Sequence, residues 1–245
     1  MKPQLHGTNN VRCAFVIDKP LTIIGDNTII ELDSECESQS VFIVKSSNVS
    51  FQGIHFRDAN PVDFPEMPEE GVNILHSYAI SMGSFVDAKT DIDLNGTDWL
   101  GDNDVCYKNI QIKNCSFEKF FYAIFFRFTP DYLWDNVNSK EKIEHSLIEN
   151  ISILDCKFLG RELLAEYGKD VDNNAGINIS GGIPSKYQFI NNLKIRGCTV
   201  VHASNAAGIG ITSVSNFSVL GCSLEDCDQV GIEVENSGIH SNGII

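Results

Sequence analysis

The sequence predicts an all-β chain wound into about six to seven stacked coils, each of three short parallel strands, with long loop insertions. Three observations predict it. A strand template recurs along the chain, each copy breaks at a residue that tolerates a left-handed backbone, and a second strand pattern precedes each copy.

The template is clearest in "NLKIRGCTVVHA" from Asn192 and "NFSVLGCSLEDC" from Asn216, which start 24 residues apart. It reads Asn, apolar, x, apolar, x, Gly, Cys, x, apolar. Earlier copies are "NVSFQGIHFRDA" from Asn48, "NIQIKNCSFEKF" from Asn109 and "NISILDCKFLGR" from Asn150, with a shorter relative "LTIIGDNTIIEL" from Leu21. Alternation with period two marks strands. The break falls at Gly25, Gly53, Asn114, Asp155, Gly197 and Gly221, all types that enter left-handed φ at low cost. Each copy is therefore expected to hold two short strands joined by a one-residue bend.

The preceding strand reads "SVFIVKS", "YAISMGS", "YAIFFRF", "AGINISG", "AGIGITS" and "VGIEVEN". Its inward series starts at Val41, Ile80, Ile124, Ile177, Ile209 and Ile232. Its outward residues form two files, Phe42, Ser81, Phe125, Asn178, Gly210, Glu233 and Val44, Gly83, Arg127, Ser180, Thr212, Glu235. Strands stacked about 4.8 Å apart would make a body roughly 30 Å long.

These repeats resemble the right-handed parallel β-helix shared by pectate-lyase-like proteins, phage tailspikes and many surface repeat proteins, over Leu21 to Asn236. The resemblance implies a single-stranded right-handed parallel β-helix over residues 1–245. It implies little about activity, because the fold carries many chemistries and some members have none.

Cys115, Cys156, Cys198 and Cys222 occupy one interior position, with Ile54 in the same place earlier. Parallel stacking holds Cβ atoms near the strand spacing of about 4.8 Å, beyond the roughly 3.8 Å a disulfide prefers. Free buried thiols are expected, which favours a reducing or anaerobic setting. No CxxC occurs and the six histidines are scattered, so a zinc site is not expected. Sequons at Asn48, Asn114, Asn150 and Asn216 sit where turns want Asn for backbone reasons.

The formal net charge is −15, which repels phosphates and argues against nucleic acid or an anionic membrane surface as partner. No 18-residue apolar run offers a membrane span, and "MKPQLHGTNN" lacks a signal-peptide core. The chain is expected to be cytosolic at synthesis, or else a segment of a longer extracellular or virion-surface protein. The absence of amphipathic caps points to flanking domains or neighbouring subunits, and the viral relatives imply a homotrimer.

Four insertions leave the compact period: Ala59 to Ser77, Ser84 to Lys108, Thr129 to Glu149, and "GRELLAEYGKDVDNNA" from Gly160. Long loops on a regular scaffold are where sites are built. Phe125 and Arg127, beside a loop with Tyr132 and Trp134, suit sugar binding, with Asn178 as a further hydrogen-bonding group; packing of Phe125 under its own loop is the other reading. "DIDLNGTDWLGD" places Asp91, Asp93 and Asn95 at positions 1, 3 and 5 of a twelve-residue calcium loop, with Gly96 at 6 and Asp102 at 12. Hard oxygens at that spacing suit Ca²⁺; an acidic loop closed by Asx turns is the alternative. Arg127 would be a lyase base beside the metal. Glu233 and Glu235, about 6.5–7 Å apart by strand rise, would be acid and base of a hydrolase. Two functions follow: a domain that binds or cleaves an extracellular or cell-wall polysaccharide, or a structural or adhesive solenoid.

Overall fold

The computed structural model describes residues 4–6, 11–32, 40–59, 77–83, 105–120, 122–127, 145–160, 176–180, 190–203, 207–227, 230–235 and 242–245. All described regular structure is strand. In chain order the strands are β1 (Gln4–His6), β2 (Val11–Ile17), β3 (Leu21–Leu32), β4 (Ser40–Val44), β5 (Val49–Asp58), β6 (Tyr78–Gly83), β7 (Tyr107–Lys113), β8 (Ser116–Glu118), β9 (Tyr122–Arg127) and β10 (Ile148–Leu154). There follow β11 (Lys157–Leu159), β12 (Ile177–Ser180), β13 (Ile190–Arg196), β14 (Thr199–Val201), β15 (Ala207–Thr212), β16 (Val214–Leu220), β17 (Ser223–Glu225), β18 (Val230–Glu235) and β19 (Gly243–Ile244).

They form two sheets. The first has the order β1-β2-β4-β6-β9-β12-β15-β18, and the second, of 11 strands, runs through β5, β7, β10, β13 and β16 and, beside them, β8, β11, β14 and β17. From β2 onward the chain alternates between the sheets, and each return lays a strand parallel to its predecessor. Only the pair β1–β2 is antiparallel among the described strands. The template's first strand lies in the second sheet, as does the short strand after the bend. The expected break is realised as left-handed backbone at Gly53, Asn114, Asp155, Gly197 and Gly221, with φ between 50° and 65°. Gly25 departs from this. There β3 runs on through a bulge between Ile24 and Thr28, which takes up Gly25, Asp26 and Asn27 opposite the single Gly53.

The core lies between the sheets. The Phe42 ring of the first sheet packs tilted against Phe51 in the second, with centroids 5.2 Å apart. The last apolar position of the template forms a file in which the Phe56, Phe117 and Phe158 rings stack almost parallel, with centroids 5.0 and 4.9 Å apart. Val200 and Leu224 continue it in register. Ile80, Ile124, Ile177, Ile209 and Ile232 pair in one file as expected. The earliest member is different: Phe42, not Val41, pairs with Ile80, and Ile43 pairs with Ser81. Phe42 therefore faces the core and leaves the outward file. "VFIV" is apolar at every position, so alternation carries no phase there, and the fit of the Phe42 ring against Phe51 and Phe56 sets it.

A second regularity is on the outside. The template's leading asparagines, Asn48, Asn109, Asn150, Asn192 and Asn216, all adopt left-handed φ of 51–62°. Their amides form a ladder. Asn109 Nδ2 donates to Asn48 Oδ1 at 2.8 Å, Asn150 to Asn109 at 3.0 Å and Asn192 to Asn150 at 2.7 Å. Asn216 donates to Asn191 at 2.8 Å instead. The backbone reason for asparagine is thus joined by a side-chain one.

Asn150 sits mid-ladder, so Asn150→Gly keeps the left-handed backbone and deletes two hydrogen bonds, with an expected loss of about 1–3 kcal/mol in urea unfolding. Asn150→Ala should lose about 1–2 kcal/mol more, because a Cβ strains that backbone. Phe117→Ala, which empties the centre of the ring file, should cost about 3–5 kcal/mol.

Candidate functional site

The outward face of the first sheet is built by register alone. Ser81, Phe125, Asn178, Gly210 and Glu233 occupy one position on β6, β9, β12, β15 and β18. Two residues on, Gly83, Arg127, Ser180, Thr212 and Glu235 occupy the next. Both files agree with the sequence expectation from β6 onward.

The two ends of this face differ. At β4, β6 and β9 it is closed. Phe125 is 4% exposed, and with Ile43 and Tyr78 it forms a small apolar cluster separate from the main core, against which Val16 and Tyr122 pack. Its ring lies 4.8 Å from Tyr78 and 4.9 Å from Tyr122. Ser81 is fully buried, its hydroxyl 2.7 Å from that of Ser40 and donating to the Phe42 carbonyl at 3.1 Å. Phe125 does point away from the core, as alternation requires, but it is a packed ring rather than an open platform for a sugar. At β12, β15 and β18 the face opens. Asn178, Gly210, Thr212 and Glu233 are half-buried, and a Cβ on Gly210 would meet nothing closer than 3.8 Å. No side chain therefore stands between Asn178 and Glu233 at this register position.

Register also separates the expected catalytic groups. Glu233 and Glu235 lie two residues apart on β18, whereas Arg127 on β9 is three strands away, about 14 Å at the usual spacing. Arg127 as a lyase base and Glu233 with Glu235 as a hydrolase pair are thus two separate candidate sites, as the sequence offers them. Tyr132, Trp134, Asp91, Asp93, Asn95 and Asp102 lie outside the described residues. Among the described residues no group of three or more His, Cys, Asp or Glu is placed to hold a metal ion, and no helix is long and apolar enough to cross a membrane.

The cysteine file is present. Cys115, Cys156 and Cys198 are buried free thiols, and Cys222 is a half-buried one at the end of the stack. Each Sγ donates to the carbonyl two residues back, at 3.4, 3.2, 3.6 and 3.7 Å. Cys156 and Cys198 also reach carbonyls of the preceding copy, Ile112 and Ile153. Hydrogen bonding to Cys115 and Cys198, and then burial, holds the Cys156 thiol well above its ordinary range. Cys222 is raised in the same way, through Cys198 first and burial second.

Compared with known proteins, the chain matches no family model, no curated protein and no solved structure. Functional argument therefore rests on the faces themselves.

Cys222 should be the first of the file to react with iodoacetamide in the folded chain. Its raised pKa leaves little thiolate at pH 8, so alkylation should be slower than for a free thiol and accelerate only above the ordinary thiol range. Peptide mapping should find Cys115, Cys156 and Cys198 unmodified until denaturant is added; early modification of Cys156 would contradict a packed file.

Proposed function

We propose that the chain is a right-handed parallel β-helix whose first-sheet face binds a polysaccharide, lying across the strands, without cleaving it. The observation that carries this is the unbroken parallel register from β6 to β18. It repeats equivalent outward positions every ~4.8 Å, a periodic row that suits a periodic ligand. Asn178, Thr212 and Glu233 offer amide, hydroxyl and carboxylate groups around the side-chain-free Gly210, and such groups hydrogen-bond sugar hydroxyls. The alternation of strands between two parallel sheets supports the helical winding. The right hand follows from the general chirality of parallel crossover connections. Calcium at Asp91, Asp93, Asn95 and Asp102, and the aromatics Tyr132 and Trp134, belong to this reading as proposed neighbours of the face. An extracellular or virion-surface setting and a trimeric assembly belong to it in the same way.

Cleavage by the Glu233 and Glu235 pair, or by Arg127 beside calcium, is a separate outcome that a depolymerisation screen detects. A structural or adhesive solenoid is the second reading, favoured by the burial of Phe125 beneath Tyr78 and Tyr122, which removes the described aromatic from the face.

A glycan array followed by a depolymerisation screen, each with and without EDTA, separates the readings. The expected outcome is retention of a polysaccharide with no shortening of the chain, weakened about tenfold in Asn178→Ala, as for loss of one hydrogen-bonding side chain at about 1.4 kcal/mol. Shortening lost in Glu233→Gln would make the protein a hydrolase, and shortening lost on chelation would make it a lyase. No glycan retained under any condition would leave the solenoid reading.

A further inference from the structure

The opposite side of the molecule carries a constellation that the glycan-binding face does not use. On the outer surface of the second sheet, His55, Ser116 and Lys157 share one register position on three adjacent parallel strands, β5, β8 and β11. Phe56, Phe117 and Phe158 alternate with them and are locked in the core, so the outward direction of the three polar residues is fixed by the ring file beneath. His55 Nδ1 lies 2.6 Å from Ser116 Oγ. The other ring nitrogen, Nε2, lies 3.4 Å from Glu118 Oε2, two residues along from Ser116 on β8.

The polarity of this chain of contacts can be assigned from its end. The Nε2–Oε2 contact is an ion-pair distance rather than a hydrogen bond, and the tautomer that suits both contacts carries its hydrogen on Nε2, facing Glu118. Nδ1 then presents a lone pair, and the Ser116 hydroxyl donates to it. A hydroxyl donating to an imidazole whose far nitrogen faces a carboxylate is the arrangement that activates a serine. Side-chain exposure of 33% for His55 and 23% for Glu118 leaves the group reachable yet partly shielded. The second Glu118 oxygen is 3.5 Å from Lys119 Nζ, which anchors the carboxylate from its other side. Arg57, in register with Glu118, is bound instead to Glu31 and so does not displace the histidine. On the far side of Ser116, Lys157 is exposed and stands one strand away, where a cation can stabilise an oxyanion.

We propose that Ser116 is a nucleophile toward acyl esters, with His55 as its base, Glu118 as the positioning residue for His55, and Lys157 as the cation beside the developing oxyanion. Ser116 Oγ adds to the ester carbonyl carbon while its proton passes to His55 Nδ1. The carbonyl π pair moves onto oxygen, facing Lys157. Collapse expels the alkoxide, which takes the proton from His55 and leaves acyl-Ser116. Water repeats the sequence, releasing the carboxylic acid and restoring the serine. No redox partner or metal enters. This site lies on a different sheet from the glycan face, so it stands or falls without it.

The test is p-nitrophenyl acetate hydrolysis together with fluorophosphonate labelling mapped by peptide mass spectrometry. Ser223 provides the internal comparison. It lies in the same outward file three strands on, through Lys157 and Thr199, where the residue before it in the file is Thr199 rather than a histidine. Ser116 should be labelled and Ser223 not. Ser116→Ala, which trims only an outward hydroxyl, should abolish label and burst. His55→Gln should slow acylation about 10²-fold or more. Glu118→Gln should slow it about tenfold or more, with Glu118→Asp restoring part of the rate, a rescue that a merely structural role would not give. Lys157→Met should slow acylation while leaving the circular dichroism unchanged. Equal labelling of Ser116 and Ser223, or hydrolysis undiminished in Ser116→Ala, would overturn the assignment.

Discussion

Parallel pairing in register is the constraint on which the rest depends. When successive copies lie side by side with equivalent residues aligned, each side chain has its own counterpart as neighbour, about 4.8 Å away on either side. A residue type can repeat from copy to copy at one position only if it can stack on itself. Phenylalanine can, through offset ring faces, and Phe56, Phe117 and Phe158 do so. Asparagine can, because its amide is donor at one end and acceptor at the other. Cysteine can, being small and apolar enough for a crowded interior corner. Charged residues of one sign cannot. The charged outward positions accordingly alternate or pair across copies, as Arg57 does with Glu31 and Lys108 with Glu149.

The bends obey the same rule in a stricter form. Left-handed backbone recurs at aligned positions, so the residue there must accept positive φ beside a neighbour that also has it. Gly197 shows how little room remains: a Cβ there would come within 2.5 Å of the Asp155 carboxylate. Aspartate is admissible at one copy because the next is glycine. At Gly25 a Cβ would meet the Gly53 carbonyl at 2.8 Å, so glycine is required there as well, although the strand bulges rather than bends.

Much of this was legible in the sequence, because self-stacking writes the same letter at the same phase of each copy. The isoleucine file from Ile80 to Ile232, the cysteine file and five of the six bends could be read from single copies by alternation and residue type. What could not be read has a common cause. Phe42 sits in a run with no polar residue to set its phase. The bulge at Gly25 depends on the register with β5, where Gly25, Asp26 and Asn27 face the single Gly53. The amide ladder needs lateral register as well as a preference for turns. For Phe125 the sequence left an open ring and a packed one as two readings, since alternation reports direction but not what packs on top. The contact of His55 with Ser116 spans 61 residues of sequence and sits in copies whose spacing is irregular, so no local motif announces it.

That irregular spacing bears on where chemistry can arise. The ladder joins residues 61, 41 and 42 positions apart, yet its donor–acceptor distances stay between 2.7 and 3.0 Å. Insertions of very different length therefore leave lateral register unchanged, and the loops vary without moving the files. A file that repeats one residue is explained by packing alone. A file whose members differ is explained by packing only in part, since stacking of like on like has been given up there. The outward file Ile29, His55, Ser116, Lys157, Thr199 and Ser223 repeats no residue from one strand to the next. So do Phe125, Asn178, Gly210 and Glu233 on the other sheet. In a molecule organised by repetition, these departures are where side chains of different chemistry are brought within reach of one another.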